Sequence, residues 1–341
     1  MTDMRQKILV LGATGHLGAN SAVHLKESGY QVIAVGHRNS DNGFFATKGI
    51  SYIGGFSLED SYSYEKLPQD IDAVVHLAGT MPAHADKSPM PYVKSIIVGM
   101  VNLCEWLTKT HCKRVIFNTT PSDVCSFFGS GIPVPENSSR SFPKNGGDHG
   151  VYAIAKNCAT DILEHYKYAH GISSCIFRHL TVYGYTPNPY YYLDGVKKIL
   201  PWRKIVMQAQ LGRPVEIWGD KNRKKELLYI KDFVEAIRLA LQTDVEGIIN
   251  LPGDRPYTLE EQITTLVKVF SPENDSTSIS FAPEKPDTPQ NLLLMGKAIS
   301  EMGWSPKYSW EAACLDMKMT MHEEPFQLLW GNGDDFIVSE L

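Results

Sequence analysis

The 341-residue sequence predicts an α/β fold, a doubly wound and mostly parallel sheet with a smaller C-terminal lobe. Two observations carry this expectation. Short β-branched runs alternate with helical patterns through the first half of the chain, and three glycines close the first run. Such alternation puts helices on both faces of a parallel sheet and leaves ligands outside the carboxyl ends of its strands.

Residues 7 to 18 read Lys-Ile-Leu-Val-Leu-Gly-Ala-Thr-Gly-His-Leu-Gly, an apolar strand followed by Gly12, Gly15 and Gly18. Glycines let the strand turn sharply into the amphipathic stretch Leu17 to Ser28. They also let a pyrophosphate approach bare backbone, where amide N–H groups and the helix dipole favour anions. A nucleotide cofactor is the expectation. Further strands are expected at Gln31 to Val35, Ser51 to Ile53, Ala73 to Leu77, Arg114 to Asn118 and Ser173 to Phe177. Apolar residues recurring at three and four predict helices over Tyr92 to Thr110 and Tyr152 to His170.

Beyond about residue 178 the texture changes. Tyr183 to Tyr192 is rich in Tyr and Pro, Lys221 to Lys225 is basic, and Ser271 to Pro289 has few apolar residues, so this half reads as loop-rich. Lys231 to Leu241 and Gly247 to Leu251 read as a helix and strand returning to the first lobe. The expected division is a Rossmann-type dinucleotide-binding domain over 1–178 plus about 232–252, with a substrate-binding lobe over 179–231 and 253–341.

A formal net charge of -5 gives no general attraction to nucleic acid or anionic membrane. Met1 to Lys7 leads into the first strand without a signal-like apolar region, and no apolar run reaches about 18 residues. No membrane association and a cytoplasmic location are therefore expected. Cys104, Cys112, Cys125, Cys158, Cys175 and Cys314 lack the paired spacing of a zinc site or disulfide framework, so they read as reduced and structural.

The second strand ends in Val35-Gly36-His37-Arg38-Asn39-Ser40. An acid there would accept from the adenosine ribose and repel a 2'-phosphate, whereas Gly36 does neither and Arg38 can pair with that phosphate. NADP(H) is therefore expected over NAD(H), with His37 and Arg38 at the phosphate.

Tyr152 and Lys156 are one helical turn apart, so an ammonium on the same face is expected to favour the phenolate and lower a tyrosine pKa from about 10. Tyr152 could then exchange a proton with a substrate oxygen. Tyr62 and Lys66 share the spacing but lie in a segment stopped by Pro68, away from the strand ends. Thr120, with Thr119 as runner-up, is placed at a strand end to donate to the same oxygen. His76 reads as a core histidine with no acidic partner at metal-ligand spacing, and no serine lies in a nucleophile elbow.

Together these residues resemble the extended short-chain dehydrogenase/reductase family of nucleotide-sugar epimerases, dehydratases and reductases. The resemblance runs through Gly12/Gly15/Gly18, Asp72 to Gly79, Thr119-Thr120, Tyr152/Lys156, Arg178 to Gly184, Trp218-Gly219-Asp220, Lys225 to Asp232, Asn250 to Gly253 and Leu294 to Pro306. It implies Tyr152 as acid/base, Thr120 polarising the oxygen, and Lys156 holding the ribose and tuning Tyr152. It further implies a cofactor site built from Gly12, Thr14, Gly15, His16, Leu17, Gly18, Leu77, Ala78, Gly79 and His179, and a substrate site that includes Thr181, Lys198 and Lys225.

Departures narrow the reaction. Dehydratases of the family carry Asp-Glu after the catalytic Thr, whereas Pro121-Ser122 follow Thr120 here. Where the GDP-L-fucose synthases place a Cys and a His for epimerisation, this chain has Ser122 or Pro121, and Lys198. Reduction of a keto group, at carbon 4 of a nucleoside diphosphate sugar and by NADPH, is the expectation that remains. A 4-epimerase with retained NAD(P) is the alternative, and a non-catalytic NADP-binding sensor or scaffold is the third. Lys225 stands where the family usually has an arginine, Thr181 where it has Asn, and Gln290 near a second arginine. Lysine lacks the two-pronged geometry of arginine. Arg223, Lys221, Lys224, Lys197 or Arg203 could compensate. The helices at Tyr92 to Thr110 and Tyr152 to His170 match those the family pairs into a two-fold interface, so a homodimer is expected. Phe326 to Leu341 matches no known pattern and reads as a disordered or partner-docking tail.

Overall fold

Seven strands form one parallel sheet because their apolar runs are covered on both faces. The computed structural model describes residues 6–82, 88–144, 147–193, 196–273, 277–286 and 292–336. The strands are β1 (Lys7–Leu11), β2 (Gln31–Val35), β3 (Ser51–Ile53), β4 (Ala73–His76), β5 (Arg114–Asn118), β6 (Ser173–His179) and β7 (Gly247–Leu251). Their order across the sheet is β3-β2-β1-β4-β5-β6-β7, and every neighbouring pair is parallel. The order therefore reverses between β1 and β4, the point at which doubly wound sheets form a crevice beyond the carboxyl ends of their strands.

Alternate side chains of β1 serve opposite cores. Ile8 and Val10 join one buried cluster, Leu9 and Leu11 the other. The first face is covered by α1 (His16–Glu27), through Ala19, Ala22 and Leu25. The second is covered by α2 (Gly99–Thr108) and α3 (Gly147–His170), through Met100, Leu103, Ala155 and Leu163. The helix expected over Tyr92 to Thr110 is interrupted: Val93–Val98 is π-helical. Inside that stretch the Ser95 hydroxyl bonds the Pro91 carbonyl and receives the Thr80 N–H, tying the widened turn to the loop after β4.

The later half is more helical than its composition suggests. It carries α4 (Pro201–Gln210), α5 (Ile230–Gln242), α6 (Leu259–Phe270), α7 (Trp310–Glu323) and the short α8 (Gln327–Trp330). Val206, Phe233, Leu266 and Met317 from these helices belong to the same buried cluster as Ile8 and Val10. The core thus runs without a break from the sheet into residues beyond 200, because the apolar stripes of these helices face it between the Pro- and Tyr-rich loops.

Glycine is required at two points of the turn after β1. Gly12 has φ +82, and a Cβ on it would lie 2.8 Å from the Ala78 nitrogen. A Cβ on Gly18 would lie 2.1 Å from the Gly12 carbonyl oxygen. At Gly15 the nearest atom would be at 3.4 Å, an ordinary contact. Gly18→Ala should therefore destabilise the protein by at least ~1–3 kcal/mol in urea unfolding, while Gly15→Ala should stay within about 1 kcal/mol of wild type.

Candidate active site

The carboxyl edge of the sheet gathers Asn118, Thr119 and Thr120 from the end of β5, His179 from β6, and Tyr152 and Lys156 from α3. Tyr152 packs its ring into the second core, edge-on to Tyr92 at 6.3 Å. Its hydroxyl donates to the Met81 sulfur, 3.8 Å away in the loop after β4. The Lys156 ammonium lies 4.3 Å over the Phe117 ring and 5.9 Å from the Tyr152 ring centre, and donates to Asn118 Oδ1 at 3.2 Å.

Asn118 carries no motif of its own, yet it links the lysine to β6. Its Nδ2 lies 3.5 Å from His179 Nε2, and His179 Nδ1 lies 2.7 Å from the Leu180 carbonyl oxygen. A carbonyl only accepts, so Nδ1 carries the proton and Nε2 is left to accept from Asn118. Burial pulls His179 down to about 4, with the Lys156 charge acting the same way. This keeps the imidazole neutral, and the amide is thereby turned with its oxygen toward the ammonium.

The electrostatics of the pair differ from the sequence expectation. Burial pulls Lys156 down to about 7. It also pushes the Tyr152 phenol up, with Tyr92 adding to the rise. Proximity alone would have favoured the phenolate, but both side chains are withdrawn from water, and withdrawal favours the neutral form of each. The phenol is therefore held protonated, because burial outweighs the lysine alongside it.

Thr120 caps a 3-10 turn, Pro121–Asp123, by accepting the Ser122 N–H at 3.2 Å. Accepting uses a lone pair and leaves the hydroxyl proton free to donate. The Thr119 hydroxyl is buried without a partner, and its backbone N–H donates to the Phe177 carbonyl. Asp123 closes the turn. Its carboxylate pairs with Arg178 of β6 at 3.1 Å, both side chains being 0% exposed. Burial raises the Asp123 carboxyl and the Arg178 charge opposes that rise. The pair fixes the turn to the neighbouring strand and engages one oxygen of its only carboxylate, the other, Oδ1, being buried without a hydrogen bond. His76 is buried beside Phe117 and pulled down to about 3 by burial, as a core histidine. Tyr62 is 75% exposed in a separate 3-10 helix, Ser61–Lys66.

On the cofactor side, α1 begins at Gly15 with no side-chain cap, so its first-turn N–H groups receive no side-chain oxygen. Gly12 lies against the chain at Leu77 and Ala78, the loop that continues through Gly79 beyond β4. Leu17 is half-buried against the first core. The His16 Nε2 is buried without a hydrogen bond, and burial pulls the ring down to about 4. These features fit a dinucleotide whose pyrophosphate meets the turn. A Cβ on Gly36 would lie 2.7 Å from the Tyr52 hydroxyl and 2.9 Å from the Thr14 methyl, so an acid cannot stand there without displacing both. His37 and Arg38 are exposed. One Arg38 N–H donates to the Leu329 carbonyl at 2.8 Å, which leaves other donors of the fork uncommitted.

The expected substrate residues are less gathered. Thr181 is exposed, and Lys198 is exposed on a hairpin of Tyr190–Leu193 and Val196–Ile199. Lys225 turns inward to donate to the Tyr183 hydroxyl at 2.6 Å. Among the described residues, none of the three is hydrogen-bonded to Tyr152, Lys156 or Thr120. Lys221 pairs with Glu260, Lys197 lies over Tyr190, and Arg203 is buried and donates to the Thr186 carbonyl. Gln290 lies outside the described residues, as do 337–341. Phe326 to Phe336, read from sequence as a disordered or docking tail, folds against its own chain. All six cysteines are free, no group of His, Cys, Asp and Glu among the described residues could hold a metal ion, and no helix there is long and apolar enough to cross a membrane.

Residues 8–251 match the sequence model of the NAD dependent epimerase/dehydratase family. UDP-glucuronic acid decarboxylase 6 of Arabidopsis thaliana is 25% identical over 333 residues, covering 95% of this chain and 90% of that protein. A trifunctional UDP-glucose 4,6-dehydratase/UDP-4-keto-6-deoxy-D-glucose 3,5-epimerase/UDP-4-keto-L-rhamnose-reductase of the same plant is 23% identical over 320 residues. The alignment covers 90% of this chain, which spans only 45% of that longer protein. The crystal structure of UDP-glucose 4-epimerase from Thermotoga maritima with UDP-glucose has the same fold, with a TM-score of 0.76 at 24% identity over 94% of this chain and 99% of that one.

The buried lysine has a measurable signature. Its folded pKa lies below the unfolded value, so the folded state binds fewer protons between about 7 and 10.5. Stability should therefore rise with pH across that window, on the order of 1.4 kcal/mol per pH unit at most. Lys156→Met should flatten the rise between pH 7.5 and 9.5 in urea titrations.

Proposed function

The chain belongs to the NAD dependent epimerase/dehydratase family, an extended short-chain dehydrogenase/reductase enzyme, and we propose that it reduces a keto group at carbon 4 of a nucleoside diphosphate sugar with NADPH. The observation that carries this reading is the turn after Thr120. Its one carboxylate, Asp123, is sealed against Arg178, and its other side chains are Pro121 and Ser122. Dehydration, or epimerisation beside the ketone, needs a proton donor or acceptor at the neighbouring carbon. That turn offers none, so the chemistry is confined to the carbonyl.

At the carbonyl the residues divide the work. Thr120 donates its free hydroxyl proton to the oxygen as charge develops there. Tyr152, held as the neutral phenol by burial, gives up its proton to the forming alkoxide. Lys156, positioned by Asn118, lies alongside the phenol and stabilises the phenolate that remains. A bound reduced nicotinamide supplies the hydride. A phenol that starts protonated suits reduction better than the oxidation with which an epimerase cycle begins. Gly36 and the exposed Arg38 support NADPH over NADH, because no acid guards the ribose and a cation is at hand.

A second reading is a 4-epimerase with retained NAD. The family is named for NAD, and the same Thr, Tyr and Lys serve both reactions. Stopped assays separate the two. Supplied with a UDP-4-keto sugar, the protein should oxidise NADPH stoichiometrically, and Tyr152→Phe should lower kcat at least about 100-fold, the usual contribution of a general acid. Co-purified NAD together with interconversion of two UDP-sugars, without net NADPH loss, would favour the epimerase.

We also propose a homodimer. Val98 and Val101 at α2 are 39% and 36% exposed, and Ile154 on α3 is 53% exposed, an apolar outward face that supports two-fold helix pairing. Ile154→Asp should shift the sedimentation coefficient from dimer to monomer.

A further inference from the structure

We propose that the C-terminal segment Phe326–Trp330 is a clasp of the dinucleotide site, and that Trp330 is a positioning residue for the glycine turn. The segment bridges the two loops at the adenosine end of the expected cofactor. Its grip on the first is direct: the Trp330 indole N–H donates to the Thr14 carbonyl at 2.9 Å, and the indole lies 6.3 Å from the His16 ring. On the second loop, Arg38 donates to the Leu329 carbonyl at 2.8 Å and Asn42 donates to the Leu328 carbonyl at 3.0 Å. The clasp is seated by aromatic packing, with Phe326 5.2 Å from Phe44 and stacked on Trp330 at 4.4 Å.

The consequence follows from preorganisation. Thr14 lies within the turn whose backbone N–H groups would meet the pyrophosphate, and Arg38 carries the cation available to a phosphate on the ribose. A segment bonded to both holds the two loops at a set separation and limits the rotamers of Arg38. A dinucleotide entering a site already held in this way loses less freedom on binding. By linkage, a bound dinucleotide must also hold the segment in place. Chain positions 14 and 330 are thereby coupled although no sequence motif joins them. The backbone carbonyls of Leu328 and Leu329, in a short helix, serve as acceptors, so the clasp depends on the segment's conformation as well as on its side chains.

The clasp rests on the dinucleotide reading above, and one titration series tests the two separately. NAD and NADP are each titrated calorimetrically into the intact chain, Trp330→Phe, Trp330→Ala and Asn42→Gly, with the circular dichroism and melting midpoint of each variant as a check on folding. If the intact chain binds neither NAD nor NADP, the dinucleotide reading itself fails. If it binds, Trp330→Ala should weaken the tighter ligand about tenfold. Trp330→Phe, which keeps the stack on Phe326 and loses only the N–H, should weaken it about threefold to fivefold. Asn42→Gly retains the left-handed backbone conformation at φ 55 and reads the second loop if the tryptophan variants fail to fold. The same dinucleotide should slow chymotryptic cleavage at Phe326 and Trp330. Unchanged affinity in folded variants would overturn the clasp, and tighter binding by Trp330→Ala would overturn it in favour of a competing lid.

Discussion

The close approach of backbone to backbone at Gly12 and Gly18 is the constraint on which the remaining architecture depends. It draws the first turn of α1 down onto the end of β1 and sets that turn against the chain leaving β4. The reversal of strand order lies between these same two strands. Every group of chemical interest is then measured from that crevice: the uncapped end of α1 on one side, the ends of β5 and β6 with α3 on the other. Side chains cannot occupy the contact, so the position of the helix is decided by the absence of a methyl group.

On the far side of the crevice, the deciding effect is removal from water. Tyr152, Lys156 and His179 are each driven toward their neutral forms by burial. One hydrogen-bonded line, from the Leu180 carbonyl through His179 and Asn118 to Lys156, orients them. Asp123 and Arg178 resolve the same problem differently, since each neutralises the other in a fully buried pair. Removing either partner would strand a charge, which is why the pair holds the turn after Thr120 so firmly.

Much of this was legible in advance where the signal is local. β1, β2, β3, β5 and β7 begin and end where their β-branched runs do, and α3 starts a turn before Tyr152. The glycine triplet turns β1 into α1, and Tyr152 and Lys156 lie one turn apart on α3, because turn geometry and helical periodicity act over a few residues. Asn118 was not legible as a partner of Lys156, 38 residues away, nor of His179, 61 residues away. Trp330 meets Thr14 across 316 residues, and nothing in the composition of the tail announces it. The basic run Lys221 to Lys225 shows the same limit: charge is visible in a sequence, whereas Lys225 turning onto Tyr183 and Lys221 pairing with Glu260 are not.

The sequence by itself determined the class of fold, the place of the glycine turn after β1 and the pairing of Tyr152 with Lys156 on one helix. Each of these depends on interactions within a strand, a turn or a helix. Tertiary structure alone decided toward which protonation states burial drives those groups, which cations are already engaged, and where the last α-helix rests. Protonation follows from burial and engagement from distant partners, and both arise only when segments remote in the chain exclude water together.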